Sequence, residues 1–297
     1  MRNAFSEEIT NLAGIDKRIV LLSGDIGNRL FDEFKSKYPK RFYNCGVAEQ
    51  NMTGLAAGLS LSGFLPITYT IAPFCTTRCL EQIRTDLAYH FLPSIIVSVG
   101  AGLAYAGLGP THHALEDIAF LRSIPNIRLI CPSDPFEVKQ SLKEAIKTDG
   151  PIYLRLGKKG EPNISSLKNN NFKIGKAYKL VSGKDFCILS SGTILPEVLK
   201  AKEALNKNGL FCSIYHFPTV KPLDNIVLKK IAFNYKKIIT VEEHSIIGGF
   251  GSAVSEWFID NMKIDNSFLR IGTTDEFFKK SGSQNYARSV LGLSGNE

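Results

Sequence analysis

The residue with the clearest chemical potential is Glu49, an acid that follows the turn residue Gly46 and precedes a run of small and apolar residues at 51–59. Small residues let a helix pack closely against a sheet, so this run predicts a buried helix that begins near Glu49. Burial raises the pKa of a carboxyl group, whereas the helix dipole favours its charged form. Such a group can share a proton with a ligand, although an acid that only caps the first helical turn fits this stretch equally well.

Two adjacent histidines, His112 and His113, follow Gly109, Pro110 and Thr111 in a loop after an apolar strand, and loops of this kind often carry functional residues. Neighbouring side chains point in different directions, so the pair cannot bind metal as two histidines one helical turn apart do. One histidine could transfer a proton or bind a substrate oxygen near neutral pH. A loop histidine bonded to the backbone is the alternative.

An aromatic side chain, Phe74, lies just after a predicted strand, where its ring could stack on a flat ligand. A core phenylalanine is the alternative. Cys75 and Cys79 lack a second ligand pair at zinc spacing, so we interpret them as buried thiols and predict no metal site in this chain.

The composition is typical of a globular protein without a membrane segment. The chain has 297 residues, 44% of them hydrophobic and 22% charged, which is enough for two α/β domains. The first residues lack an apolar core of signal-peptide length, and no apolar run reaches transmembrane length. These features predict a cytoplasmic protein that does not bind a membrane.

The formal net charge of +8 raises the question of nucleic acid. The lysines are spread along the chain and not interleaved with aromatic residues, and no known nucleic-acid module is visible. We therefore expect no nucleic-acid partner. Phosphorylated or acidic small substrates agree better with this charge.

The elements that position these residues alternate between strands and helices, which indicates a doubly wound, mostly parallel sheet. Ligands collect at the carboxyl ends of such strands. Asp25 follows the first strand, so it is a candidate site residue or a helix cap. Strands are predicted at 19–23, 65–70, 94–99, 127–130 and 152–155, with helices at 5–14, 76–89, 114–123 and 134–147.

A polar stretch without periodicity at 157–173 marks a domain boundary. We predict a first domain at 1–157, a linker at 158–175 and a smaller α/β domain at 176–297. The second domain has predicted strands at 186–189, 211–215, 238–241 and 267–270. Its Gly249-Phe250-Gly251 sequence fails the dinucleotide-binding pattern because Val254 occupies the third small position, so we interpret it as a tight helix start.

Several motifs, in the same order as in a known family, resemble the transketolase family of thiamine-diphosphate enzymes over nearly the whole chain. The sequence Gly-Val-Ala-Glu-Gln-Asn-Met around Glu49 is similar to the family's glutamate motif. The other matching stretches are 70–74 with 78–84, 109–113 with 115–119, 122–126, 132–134, 241–244 and 248–251.

On the cofactor side, the resemblance implies that Glu49 bonds N1′ of the aminopyrimidine and promotes its imino tautomer, which then removes the thiazolium C2 proton. Phe74 would stack on the pyrimidine, and Ile71 would occupy a place that is often aromatic. Asp25 and Ile26 would lie near the cofactor across an interface.

On the substrate side, the resemblance implies that His112 faces the reacting carbon and its oxygen, with His113 beside it. Lys158 falls near an arginine that binds substrate phosphate in transketolases. Leu108 stands where sugar-specific transketolases have an aspartate that forms a hydrogen bond with the donor's C2 hydroxyl. An apolar side chain cannot make that hydrogen bond. Ordinary pentose phosphates are therefore not the expected substrates.

The family's diphosphate-binding half is missing from this chain. That half carries Gly-Asp-Gly and a later Asn, which hold Mg²⁺ through oxygen ligands and waters, and Gly24-Asp25-Ile26 lacks the final glycine. The resemblance thus implies the C-terminal subunit of a split transketolase. The partner would be an N-terminal, diphosphate-binding subunit that holds the Mg²⁺, and the two would form an α₂β₂ heterotetramer.

The expected reaction is transfer of a two-carbon unit from a ketose or α-keto acid to an aldehyde or sugar-type acceptor. One alternative is the β subunit of a 2-oxoacid dehydrogenase or of a decarboxylating enzyme similar to deoxyxylulose-phosphate synthase. Another is a catalytically silent interaction subunit, against which the presence of Glu49 and His112 argues.

Overall fold

Two mostly parallel β-sheets organise the chain, which we describe from a computed structural model over residues 1–164, 171–262 and 266–297. The strands in chain order are β1 (Ile19–Ser23), β2 (Phe42–Asn44), β3 (Leu65–Ile71), β4 (Ser94–Val99), β5 (Arg128–Ile130), β6 (Pro151–Leu156), β7 (Tyr178–Val181), β8 (Phe186–Ser191), β9 (Cys212–His216), β10 (Thr219–Lys221), β11 (Lys237–Ser245) and β12 (Ser267–Thr273). The first sheet has the order β10-β5-β6-β4-β3-β1-β2, and the second has the order β12-β11-β8-β9-β7.

Helices connect most of these strands, as the predicted alternation requires. They are α1 (Arg2–Ile15), α2 (Asp32–Lys37), α3 (Glu49–Leu61), α4 (Ala72–Cys75), α5 (Leu80–Gln82), α6 (Asp117–Arg122), α7 (Pro135–Ala145), α8 (Leu195–Lys207), α9 (Asn225–Asn234), α10 (Phe250–Asn261) and α11 (Gln284–Val290). The predicted α/β fold with two mostly parallel sheets is confirmed. No helix of the described residues is both long and apolar enough to cross a membrane.

The centre of the first sheet brings together the strand ends that the sequence marks as functional. Strands β1, β3, β4 and β6 pair in parallel, with Ser23 opposite Tyr69, Ile71 opposite Val99, and Val99 opposite Leu156. Strands β1, β4 and β6 are buried along their whole length, as in a sheet covered on both faces. Their carboxyl ends therefore form one edge.

The structure corrects several predicted elements. Strands β2, β7 and β10 were not predicted, because β2 and β7 lack the buried apolar pattern of the other strands and β10 has only three residues. The single helix predicted at 76–89 is instead a 3₁₀ turn at Thr77–Cys79, the short α5 and a π-helix at Ile83–Tyr89. Apolar periodicity does not distinguish these hydrogen-bonding patterns.

The two halves of the chain share structure. Strand β10, from the second half, pairs antiparallel with β5 of the first sheet, where Thr219 lies opposite Ile130. One apolar cluster includes side chains from both halves, among them Leu129, Phe217 and Phe250. The domain limits at 157 and 176 stay a prediction, and residues 165–170 of the predicted linker lie outside the described residues.

Candidate active site

Glu49 is the first residue of α3, and its carboxylate is buried with a relative exposure of 2%. Its Oε2 accepts a hydrogen bond from Arg78 Nη1 at 2.6 Å, and its Oε1 accepts one from Thr70 Oγ1 at 3.4 Å. The side chain thus turns towards the end of β3 and the segment that follows it. In this chain without a partner, the Glu49 carboxylate forms an ion pair with Arg78 and does not cap the helix.

The backbone at the end of β1 approaches the same carboxyl side chain. A Cβ atom on Gly24 would lie 3.3 Å from Glu49 Cγ and 3.1 Å from Thr70 Oγ1. These distances are tighter than ordinary van der Waals contact, so a side chain at position 24 would push on Glu49. The glycine that follows β1 therefore keeps space open beside the acid.

Phe74 lies in α4 and offers an aromatic face beside Glu49. The guanidinium carbon of Arg78 sits 4.2 Å from the centre of the Phe74 ring, a cation–π contact. The ring of His112 meets Phe74 at a centroid distance of 5.2 Å and an interplanar angle of 66°. The structure thereby brings together three residues that the sequence predicted separately: Glu49, Phe74 and His112.

His112 is half-buried, with its Nδ1 atom 2.9 Å from Thr111 Oγ1. Burial lowers its pKa below the usual 6.5, and the neighbouring His113 lowers the pKa further. At neutral pH the imidazole is therefore mainly uncharged. A neutral imidazole can both donate and accept a hydrogen bond, which suits a residue that faces a carbonyl or hydroxyl oxygen.

His113 turns away from His112 into the protein. Its Nε2 lies 3.3 Å from the carbonyl oxygen of Ala106, and its ring lies 5.9 Å from that of Phe278. These contacts hold the loop together. A role for His113 towards substrate stays a prediction.

Lys158 and Leu108 are both exposed. The Nζ atom of Lys158 is 4.7 Å from the centre of the Tyr105 ring, and that ring is 6.2 Å from the ring of His112. Leu108 is 56% exposed at the end of a 3₁₀ turn, Ala106–Leu108. Both substrate roles stay predictions.

Asp25 and Ile26 follow the end of β1, where the backbone at Gly24 lies close to Glu49. Asp25 Oδ1 accepts from Asn44 Nδ2 at 2.9 Å, and Asn44 Oδ1 accepts from the backbone N–H of Asp25 at 3.2 Å and of Gly46 at 3.0 Å. Asn44 thus ties the loop after β1 to the turn before Glu49. Ile71 packs against the core of the first sheet.

Sequence reasoning did not select Arg78, Thr70, Tyr105 or Asn44 as site residues. Arg78 carried a usable signal, since it lies four residues after Phe74 in a stretch predicted as largely helical. The other three give no such signal, because their contacts cross between strands and loops. Among the described residues, no group of three or more His, Cys, Asp or Glu side chains is placed to hold a metal ion.

The arrangement can bind a flat heteroaromatic ring. A buried carboxyl group can share a proton with a ring nitrogen, an aromatic side chain can stack on the ring, and a neutral imidazole stands at the edge of the aromatic side chain. In the chain without a ligand, Arg78 contacts two of these groups: it donates a hydrogen bond to Glu49 and lies over the ring of Phe74.

Comparisons with known proteins identify the family to which this chain belongs. Residues 1–161 match the family described as "Transketolase, pyrimidine binding domain", and residues 175–296 match "Transketolase, C-terminal domain". The chain is 36% identical to a "putative transketolase C-terminal section" of Methanocaldococcus jannaschii, over 99% of this chain and 92% of that protein. It is 34% identical to an apulose-4-phosphate transketolase subunit of Phocaeicola vulgatus, over 88% of this chain and 84% of that protein.

A solved structure described as "split gene transketolase, inactive beta4 tetramer" has the same fold. It superposes with a TM-score of 0.89 at 32% sequence identity and covers 99% of this chain and 94% of its own.

Proposed function

Because this chain belongs to the transketolase family, whose pyrimidine-binding and C-terminal domains it carries, we propose that it is one subunit of a two-chain, thiamine-diphosphate-dependent transferase. The observation that carries the proposal is that one side chain, Arg78, contacts both the buried Glu49 carboxylate and the Phe74 ring. These two groups complement the edge and the face of an aminopyrimidine.

The residues present fit this cofactor. The Glu49 carboxyl group would share a proton with N1′, Phe74 would stack on the ring, and Gly24 leaves space that a side chain would fill. Thiamine diphosphate, when bound, supplies the nucleophilic carbon that two-carbon transfer requires. Glu49 must then exchange its bond with Arg78 for one with the cofactor. The Arg78 side chain is 41% exposed, so it can turn into solvent.

His112 would act on the substrate. Its ring is in edge contact with Phe74, so it stands next to any ring stacked there. Because its pKa is lowered, the neutral imidazole is available at pH 7 to orient a substrate oxygen and to move a proton. Lys158, exposed at the rim, would attract a substrate phosphate.

A partner chain is supported by two observations. The Phocaeicola vulgatus relative is named as one subunit of its transketolase. Two large side chains in the segment that leads into α3 also remain exposed, Val47 at 75% and Tyr43 at 48%. Exposed apolar surface beside a candidate site is what a partner chain would cover. We propose that the partner covers it, binds the diphosphate and holds the Mg²⁺.

The donor would be a ketose or an α-keto acid, and the acceptor a less usual aldehyde such as a modified sugar. Leu108, exposed in the loop that also carries His112, offers no polar atom to a donor hydroxyl. The relative named for apulose 4-phosphate supports a substrate other than the ordinary pentose phosphates. If the two-chain enzyme turned over xylulose 5-phosphate as fast as transketolases that use pentose phosphates, this substrate proposal would be wrong.

Native mass spectrometry of the complex, purified from its own host, tests the proposal. We expect equal copies of this chain and a second chain, with thiamine diphosphate and Mg²⁺ retained. An assembly of this chain alone, which gains no cofactor when candidate partner chains and thiamine diphosphate are added, would contradict the proposal. A complex that binds cofactor but turns over equally fast with Glu49→Ala would instead favour a silent subunit.

A further inference from the structure

The loop that carries His112 is held from outside the first domain. We define the His112 loop as residues 102–114, closed at its base where the backbone N–H of Ala114 donates to the carbonyl oxygen of Gly102 at 2.9 Å. Between these ends lie Tyr105, Leu108 and His112. The position of the base therefore sets where His112 stands relative to Phe74 and Glu49.

Glu243 of β11 is hydrogen-bonded to the beginning of the loop. Its Oε1 accepts a hydrogen bond from the backbone N–H of Leu103 at 2.6 Å, across a chain separation of 140 residues. At Gly102, φ is +59°, and a Cβ atom there would lie 2.6 Å from Glu243 Oε1. The loop can begin at this place only because residue 102 is a glycine.

The same carboxylate is fixed from the other side by α11. Gln284 Nε2 donates to Oε1 at 2.8 Å, and Arg288 Nε donates to Oε2 at 2.7 Å. Arg288 also donates to the carbonyl oxygen of Thr193 at 3.1 Å. Glu243 has a relative exposure of 2%, and charge-assisted bonds in such surroundings are short and strong. These bonds from α11 therefore hold the Glu243 carboxylate in one position beside the loop.

The end of the loop is attached to the same strand. The backbone N–H of Ser245 donates to the carbonyl oxygen of Leu115 at 2.8 Å. Arg155 Nη2 donates both to the carbonyl oxygen of Ala114 at 2.7 Å and to that of Glu243 at 3.2 Å. Strand β11 thus holds both ends of the loop.

We propose that Glu243 is a positioning residue that places His112 for the reaction, an inference that rests on the proposed function. A shift of about 1 Å in a substrate-facing group can slow catalysis about 100-fold. By this reasoning the second domain contributes to catalysis without touching the cofactor, through one buried carboxylate.

Glu242 offers a matched control one residue away. It is also 2% exposed, and its two oxygens accept the backbone N–H groups of Phe250 and Gly251 at the start of α10, at 2.6 and 2.8 Å. Each acid therefore accepts hydrogen bonds on both oxygens, and an amide in its place turns one acceptor into a donor. Only Glu243 faces the His112 loop.

The experiment compares Glu243→Gln, Glu242→Gln and the unchanged protein by amide hydrogen exchange of the full chain, and by steady-state kinetics of the complex with its partner. We expect Glu243→Gln to speed exchange at residues 102–114 by about tenfold or more, as local opening becomes easier. In the complex, kcat should fall about 10- to 100-fold while the Kd for thiamine diphosphate changes less than about threefold. Glu242→Gln should speed exchange in α10 and leave the loop and kcat unchanged.

Unchanged exchange at 102–114 in Glu243→Gln would overturn the inference, and so would a faster loop with an unchanged kcat. If the unchanged complex shows no thiamine-dependent turnover, the proposed function fails, while the exchange result still decides whether Glu243 holds the loop. Should Glu243→Gln not fold, Gln284→Leu removes one bond to the carboxylate without stranding a charge. It must then speed exchange at 102–114, or the inference is wrong.

Discussion

Replacing Glu49 by Gln should separate catalysis from folding, because the structure gives this acid little role in stability. The amide has the same shape, so no cavity forms. The bond from Thr70 is long at 3.4 Å, and the Arg78 side chain is 41% exposed and free to meet water. Because Arg78 keeps its access to water when the pair is lost, the cost should be nearer the roughly 0–1 kcal/mol of an exposed ion pair than the roughly 3–5 kcal/mol of a buried one. The free energy of unfolding should therefore change by about 1 kcal/mol or less.

The effect on the reaction should be far larger. A carboxyl group that shares a proton with a ligand contributes about 10²- to 10⁴-fold to the rate, and an amide cannot replace it. The assay we favour is exchange of the C2 proton of bound thiamine diphosphate for deuterium, followed by acid quench and proton NMR. It needs the complex with the partner chain but no knowledge of donor or acceptor.

Urea unfolding of the chain, followed by circular dichroism, gives the other half of the comparison. Glu81→Gln serves as the control, since it removes the same charge from an exposed position nearby. We expect Glu81→Gln to leave both measurements unchanged. The reasoning would be refuted if Glu49→Gln exchanged C2 within about threefold of the unchanged complex, well below the range for a proton-sharing group. Destabilisation above about 3 kcal/mol would also refute it, since that is the cost of breaking a buried pair.

Three further predictions concern buried charge and pH. Arg155→Met should lower the free energy of unfolding by about 3–5 kcal/mol, because it leaves the buried Asp117 carboxylate without the ion pair to Arg155 Nε at 2.7 Å. In urea titrations, replacing both residues by apolar ones should recover part of this loss. Burial lowers the pKa of His244 to about 4. Between pH 6.5 and 4, His244 therefore binds a proton in the unfolded chain but stays uncharged in the folded chain. Stability should then fall by roughly 3 kcal/mol as pH drops from 6.5 to 4, and His244→Asn should flatten that slope in unfolding curves. In NMR titrations, the His112 imidazole should titrate below pH 6.5, and His113→Leu should raise the midpoint; a midpoint at or above 6.5 in the unchanged chain would contradict the burial argument.

The sequence determined the fold class because the information is local. Buried strands such as Ile19–Ser23 and Ser94–Val99 are short apolar runs bounded by turns, and their bounds were predicted correctly. The tight helix start at Gly249 was also recognisable, and α10 begins at the next residue. Where residue patterns were ambiguous, the prediction failed, as in the stretch that forms a π-helix at Ile83–Tyr89.

At the site, the sequence selected Glu49, Phe74 and His112, because each residue type suits a task and lies next to a recognisable strand or helix end. It could not show that Arg78, which lies four residues after Phe74, also bonds Glu49. That long-range contact depends on β1 and β3 being neighbours in the sheet, an order that residue spacing does not encode.

Only the tertiary structure revealed how the second half of the chain serves the first. Glu243 reaches Leu103 across 140 residues, and β10 joins the sheet of the other half. Local periodicity reports which face of an element is buried, whereas the identity of the neighbour depends on how whole elements pack. The chemistry of this protein was therefore visible in its sequence, and the placement of that chemistry was decided by long-range packing.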